Sequence, residues 1–249
     1  MAYATIDDPS AYFKVQLYTG DGGTTQAITF NDTDTNMQPD WVWIKMRSEA
    51  QSNILVDSVR GANKYLGSNH NGAEGTDINS VTAFGSDGFT VGNDDSVNKN
   101  TGTYVSWNWK ESATAGFDIV SYTGNGTSGA TVNHGLGVAP NWYMVKRRSD
   151  AGSWYMYHSG NTSAPATDFL LLNENYATED GAQAWNDTAP TSSVFSLGDN
   201  ENVNANTSTY ISYVWSEKQG FSKFGKYRGN NSTDGTFVFT GFRPSSILI

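Results

Sequence analysis

One pattern of residues is written twice in this chain and begun a third time, at an interval of about 105 residues. Tyr18 and Tyr122 lie 104 apart, Pro39 and Pro140 lie 101 apart, and Phe89 to Phe195, Val97 to Val203 and Tyr104 to Tyr210 are each 106. Residue kinds match as well as spacings. Arg47-Ser48-Glu49-Ala50 answers Arg148-Ser149-Asp150-Ala151, and Tyr104-Val105-Ser106 answers Tyr210-Ile211-Ser212. Tyr227 follows Tyr122 by 105, and from Gly220 a third copy opens that reaches only its Pro244 and the run Ile247-Leu248-Ile249. A chain that repeats folds one copy at a time. The expected units are an N-terminal arm over 1–12, copies over 13–115 and 116–219, and an incomplete third copy over 220–249. About 30 residues cannot bury a core of their own, so the third copy is expected to dock on its neighbour or on another chain, or to be the start of a longer protein.

Within a copy the period of the apolar residues is two. Phe13, Val15 and Leu17 alternate with polar neighbours, and Trp41-Val42-Trp43-Ile44 is apolar on both faces, as a strand between two layers would be. Pro39 at that strand's entrance costs no ladder hydrogen bond. In the last strand Tyr104, Ser106 and Asn108 point one way and Val105, Trp107 and Trp109 the other. Glycine-, asparagine- and threonine-rich turns fall every 8–12 residues or so, and only Asp180–Trp185 suggests a helical turn. The expected fold is all-β: tandem antiparallel β-sandwich repeats of jelly-roll or concanavalin-like form.

The formal charge of −10 sets the chain against phosphate backbones and anionic lipid, so nucleic-acid binding is not expected, and since no apolar run approaches the length of a membrane span, membrane insertion is not expected either. The absence of cysteine removes disulfides and thiolate metal sites. The first residues, MAYATIDDPSAYF, have neither the basic nor the apolar region of a secretion signal.

Catalytic patterns are missing from the sequence. His70, His134 and His158 belong to no His-Glu-x-x-His motif, and there is no Gly-x-Ser-x-Gly elbow or P-loop lysine. A non-enzymatic protein is the expectation, with no cofactor. Two weaker sites stand out. Asp94 and Asp95 in the first copy, with Asp199 and Glu201 in the second, sit in oxygen-rich loops that could ligate calcium, although such Asx-rich loops more often satisfy their own backbone. Trp185 with Asn186 and Asp187, in the polar stretch GAQAWNDTAPTSS, has the makings of a sugar platform, with Trp154 nearby in sequence. There an exposed indole would stack on a pyranose and the amide and carboxylate would bond its hydroxyls.

In combination, VNHGLGVAPNW, WNDTAPTSSVFSL and GFSKFGKYRGN resemble a tandem-repeat domain in structural proteins of tailed bacteriophages of marine bacteria. The first copy departs from the pattern, with Asn36-Met37-Gln38-Pro39 in place of His-Gly-Leu-Gly. The resemblance implies a virion structural protein, a tail fibre or other appendage, assembled in the host cytoplasm beside other virion proteins. Self-association is expected from the unfinished third copy and its apolar end, a trimer being usual for fibres. Contact with host surface polysaccharide follows as an expectation. A carbohydrate-binding lectin module and a glycan depolymerase are the alternatives.

Overall fold

A computed structural model describes residues 6–30 and 33–249, so part of the N-terminal arm, Met1 to Thr5, lies outside the described residues. From Ile6 the arm leads into a short turn, Pro9–Ala11, capped by the carboxylate of Asp8. The strands of the first half are β1 (Phe13–Thr19), β2 (Gln26–Thr29), β3 (Trp41–Met46), β4 (Ile54–Asp57), β5 (Lys64–Gly67), β6 (Gly75–Thr76), β7 (Val81–Gly85), β8 (Gly88–Val91) and β9 (Thr103–Trp109). The second half has β10 (Phe117–Thr123), β11 (Ala130–Asn133), β12 (Trp142–Arg147), β13 (Tyr155–His158), β14 (Asp168–Leu171), β15 (Glu179–Asp180), β16 (Val194–Leu197) and β17 (Thr209–Trp215). Among the described residues α-helix is confined to three four-residue turns, α1 (Asp95–Asn98), α2 (Ala182–Trp185) and α3 (Glu201–Asn204).

All the strand pairings are antiparallel, and the protein is all-β with the character of a sandwich. One large sheet runs β1-β9-β3-β4-β5-β6 and the other β10-β17-β12-β13-β14-β15. Each half closes by inserting its last strand between its first and third: Phe13 pairs with Trp109, which pairs with Trp41, and Phe117 pairs with Trp215, which pairs with Trp142. Against the large sheets lie two small ones, β2-β8-β7 in the first half and β11-β16 in the second, where α2 stands in place of a third strand.

Three apolar clusters order these sheets into four layers. Val42, Ile44, Val56, Phe89, Val97 and Tyr104 fill the space between the first large sheet and its small one. Tyr143, Val145, Phe169, Trp185, Phe195 and Tyr210 do the same in the second half. A third cluster, with Trp41, Leu55 and Leu66 from one large sheet and Phe117, Met144, Ile211, Tyr213 and Trp215 from the other, joins the two large sheets face to face. This explains why β3 is apolar on both sides: Val42 and Ile44 face the small sheet, while Trp41 faces the second half.

The loops expected to be irregular Asx-rich segments contain α1 and α3. Their asparagines pin the halves internally. Asn98 and Asn204 are fully buried and donate to the carbonyls of Gly92 (2.8 Å) and Gly198 (2.7 Å), while their Oδ1 atoms accept from the amides of Asp21 (2.9 Å) and Asn125 (3.0 Å). Beside them Tyr18 stacks on Tyr104 at 4.9 Å and 12°, and Tyr122 on Tyr210 at 5.0 Å and 12°. After Trp215 no further strand forms among the described residues, and Phe237, Phe239 and Ile249 are strongly exposed.

Candidate functional site: the joint between the large sheets

Trp41 is the centre of the joint. Its ring stacks on Tyr213 at 4.5 Å, with Trp215 at 5.4 Å and Phe117 at 5.8 Å, all from the other half. From the second half Trp154 reaches across, and its Nε1 donates to the carbonyl of Gly67 at 2.8 Å. Backbone bonds frame the contact: Glu74 N donates to Arg148 O at 3.0 Å, and Gly152 N to Asn71 O at 2.8 Å.

Inside this apolar surface lies a charged network that alternation alone does not reveal. Arg60 Nε donates to Asp57 Oδ2 at 2.5 Å, and its Nη2 donates to the carbonyl of Leu55 at 3.0 Å and to the Tyr213 hydroxyl at 3.1 Å. Tyr213 in turn donates to Asp57 at 2.6 Å. Glu74 links this group to the second half, with Arg60 at 3.4 Å and with Arg148 through bonds of 2.8 and 3.1 Å. Burial works against the charge on Arg60, but Tyr213, Asp57 and Glu74 outweigh it and hold the guanidinium protonated. Burial opposes the charge of Glu74 too, yet Arg148 and Arg60 keep its carboxyl below the usual range. The Tyr213 phenol is driven well above its ordinary pKa, first by burial. A buried ion pair adds little net stability, but removal of one partner leaves a buried charge uncompensated. Lys146 closes the rim: fully buried, it donates to the carbonyls of Arg147 (2.9 Å) and Asn71 (3.3 Å), and burial, then Arg147, pulls its pKa down to about 8.

The expected sugar platform takes another form. Trp185 was expected to be exposed, but it is 0% exposed, packed edge-on to Tyr143, and its Nε1 donates to the carbonyl of Asp168 at 3.0 Å. The polar flanks misled because they are the ends of α2: Asn186 caps it in the left-handed region, and Asp187 is left-handed as well, so the turn throws the indole inward. Asn186 and Asp187 therefore have no indole beside them to stack a sugar. Trp154, also 0% exposed, belongs to the joint.

The two loops expected to be able to ligate calcium each open a short helical turn. Asp94 and Asp95 stand at the start of α1 and Asp199 and Glu201 at the start of α3, in separate halves. Asp94 accepts from the amide and hydroxyl of Ser96, each at 2.7 Å, as the cap of α1, and Asn200 caps α3 in the same way. Asp94 has Asp77 for a neighbour; burial, and that second carboxylate, raise its pKa against the bonds from Ser96. Asp95 and Asp199 are exposed, and Glu201 pairs with Arg147 at 3.5 Å. No group of three or more metal-ligating side chains forms among the described residues.

His134 is spent on structure: Nδ1 accepts from Leu136 N, and Nε2 lies 3.2 Å from the carbonyl of Thr191. Two shallow grooves open at matched places, about 300 Å³ between β1 and β2 and about 270 Å³ between β10 and β11. Neither is lined by a carboxylate, histidine or lysine.

The fold and the joint thus define a class, an all-β protein of stacked antiparallel sheets. The chain belongs to the family described as a domain of unknown function (DUF7483), whose sequence model matches residues 8–249. No curated protein and no solved structure matches it.

Proposed function

We propose that this chain is a tandem array of one β-sandwich unit, over 13–115 and 116–219 with the opening of a third over 220–249. In this reading it serves as a non-enzymatic structural component of a virion, a tail fibre or other appendage that works alongside other virion proteins. The observation that carries the array is that the second junction repeats the first. Asp40 Oδ2 accepts from Glu111 N at 2.8 Å, and Asn141 Oδ1 from Glu217 N at 2.7 Å. Ser112 bridges to Phe117, and Lys218 to Ser222. Gly116 and Gly220 share the left-handed conformation at φ 74° and 77°, and a Cβ on Gly116 would lie 2.4 Å from the carbonyl of Ser216. Phe117 then lies against Trp41, whereas its counterpart by spacing, Phe221, packs on Tyr12 at 6.5 Å and it is Phe224 that reaches Trp142, at 6.1 Å. A unit that stacks on its predecessor through one geometry builds a rod by repetition.

The virion role draws support from the resemblance of the motifs to phage structural proteins. The test is mass spectrometry and cryo-electron microscopy of purified particles of the phage whose genome encodes the chain. Its peptides and a density of stacked sandwiches are expected in the particle, and their absence from it overturns the reading.

A further inference from the structure

The internal joint covers the outer faces of the two large sheets unevenly. The second sheet contributes Ile119, Ile211 and Tyr213 from its first and last strands, with Met144 of β12 and Trp154 beside them. The first sheet contributes the half formed by β3, β4 and β5, with Trp41, Leu55 and Leu66. The less covered positions on each sheet are register equivalents of those the other contributes. Val15, Val105 and Trp107 stand on the first sheet where Ile119, Ile211 and Tyr213 stand on the second. Ile119 is 5% exposed but Val15 is 38% exposed, and Leu17 beside it is 56% exposed. Conversely Trp142 and Met156, equivalents of the fully buried Trp41 and Leu55, are only half-buried. At these positions the residues covered on one sheet have less covered equivalents on the other, while Met144 and Trp154 of the second sheet stay fully buried in the joint.

The differences between equivalents run in step. Trp107 has no hydroxyl where Tyr213 has one, and the face around Trp142 has His158 and Asn161 at the places of Asp57 and Arg60. An arriving face that has lost its polar anchor meets a receiving face that has lost the ions the anchor would bond. Contiguous exposed apolar residues on a sheet face mark a contact surface.

We propose that the β1–β9 half-face of the first sheet, around Val15, Leu17 and Trp107, docks a second copy of this chain head to tail. The partner presents the half-face around Trp142, Met156 and Leu172 of its second sheet. This inference rests on the stacked-array part of the function proposed above and is independent of the virion. Phe224 already touches Trp142, but it comes from a segment without strands, so a complete half-face outcompetes it. The contact is heterologous, so copies associate into a ring or an open chain.

The test uses the full chain in sedimentation velocity and light scattering, with circular dichroism to establish folding. The parent chain is expected to show mass rising with concentration beyond a dimer. Leu17→Glu and Leu172→Glu are each expected to be monomeric alone, and mixed in equal amounts to form a dimer with one intact joint. Should Leu172→Glu disturb folding, Leu172→Ser serves; Leu17→Ser, which copies the residue at position 121, serves for the other face. A parent chain monomeric up to its solubility limit overturns the proposal, as does a Leu172 variant that still self-associates, which would mean head-to-head pairing. A monomer that leaves the virion reading intact, and an oligomer from a protein missing from particles, tell the two failures apart.

Discussion

Glu111 sits where the chain leaves the first sheet, its amide held by Asp40 and its carboxyl hydrogen-bonded to Asp118. Burial, then the bond to and charge of Asp118, then Asp40, push its pKa up to about 7 from 4.5. The folded chain therefore keeps a proton that the unfolded chain releases, and stability falls as pH rises from about 4.5 to 7. Glu111→Gln is expected to flatten that slope and to leave the variant more stable than the parent above pH 7. Urea midpoints measured across this range check it; parallel curves for the two proteins would refute the assignment. Nothing in the sequence distinguishes Glu111 from the other glutamates. Its partner Asp118 is seven residues away, across a turn whose closure at Gly116 brings the two carboxyls together. Trp185 shows the opposite failure. Its neighbours are polar, but burial is decided by which way a four-residue turn faces, and local polarity does not report that.

At the scale of elements, the loop before each closing strand is the most informative. Asn98 and Asn204 end short helical turns and spend both amide hydrogens and the carbonyl on backbone groups of distant segments. These bonds fix β9 and β17 as they enter between the first and third strands, a pairing that must close over nearly a whole half of the chain. Asn98→Ala or Asn204→Ala orphans several buried backbone groups, for a cost of about 2–4 kcal/mol. Matched losses in the two variants, read from denaturant midpoints, are expected. Substitution of exposed Asp95 or Asp199, which hold no such bonds, is expected to change stability by less than about 0.5 kcal/mol. The strands themselves were legible, because alternation is a local property of the sequence. Of the helical turns α2 was legible within Asp180–Trp185, while α1 and α3 were not, because four residues in an Asx-rich loop are too few for a helical period to show.

For the whole molecule the joint is decisive. Arg60 is buried among Asp57, Tyr213 and Glu74, groups from both halves. Arg60→Ala leaves their charges and hydroxyl without the guanidinium and is expected to cost about 3–5 kcal/mol. Because the network spans the joint, the loss should reach the second half. Hydrogen exchange in β10 and β17 is expected to quicken along with that in β4. A change confined to the first half would mean that the halves are stable apart.

The sequence by itself determined the strands, the interval of about 105 residues, and the double-faced burial of Trp41-Val42-Trp43-Ile44. These are written in period and composition, which need no partner to be read. Only the tertiary structure decided what lies against the second face of that strand, that Trp154 and Trp185 are buried, and that Asp94 and Asn200 serve as helix caps. It also decided that Asp57, Arg60, Glu74, Arg148 and Tyr213 meet. The physical reason is the same in each case. Alternation says which residues leave water, but the partner that receives them is set by how sheets distant in sequence come to face one another.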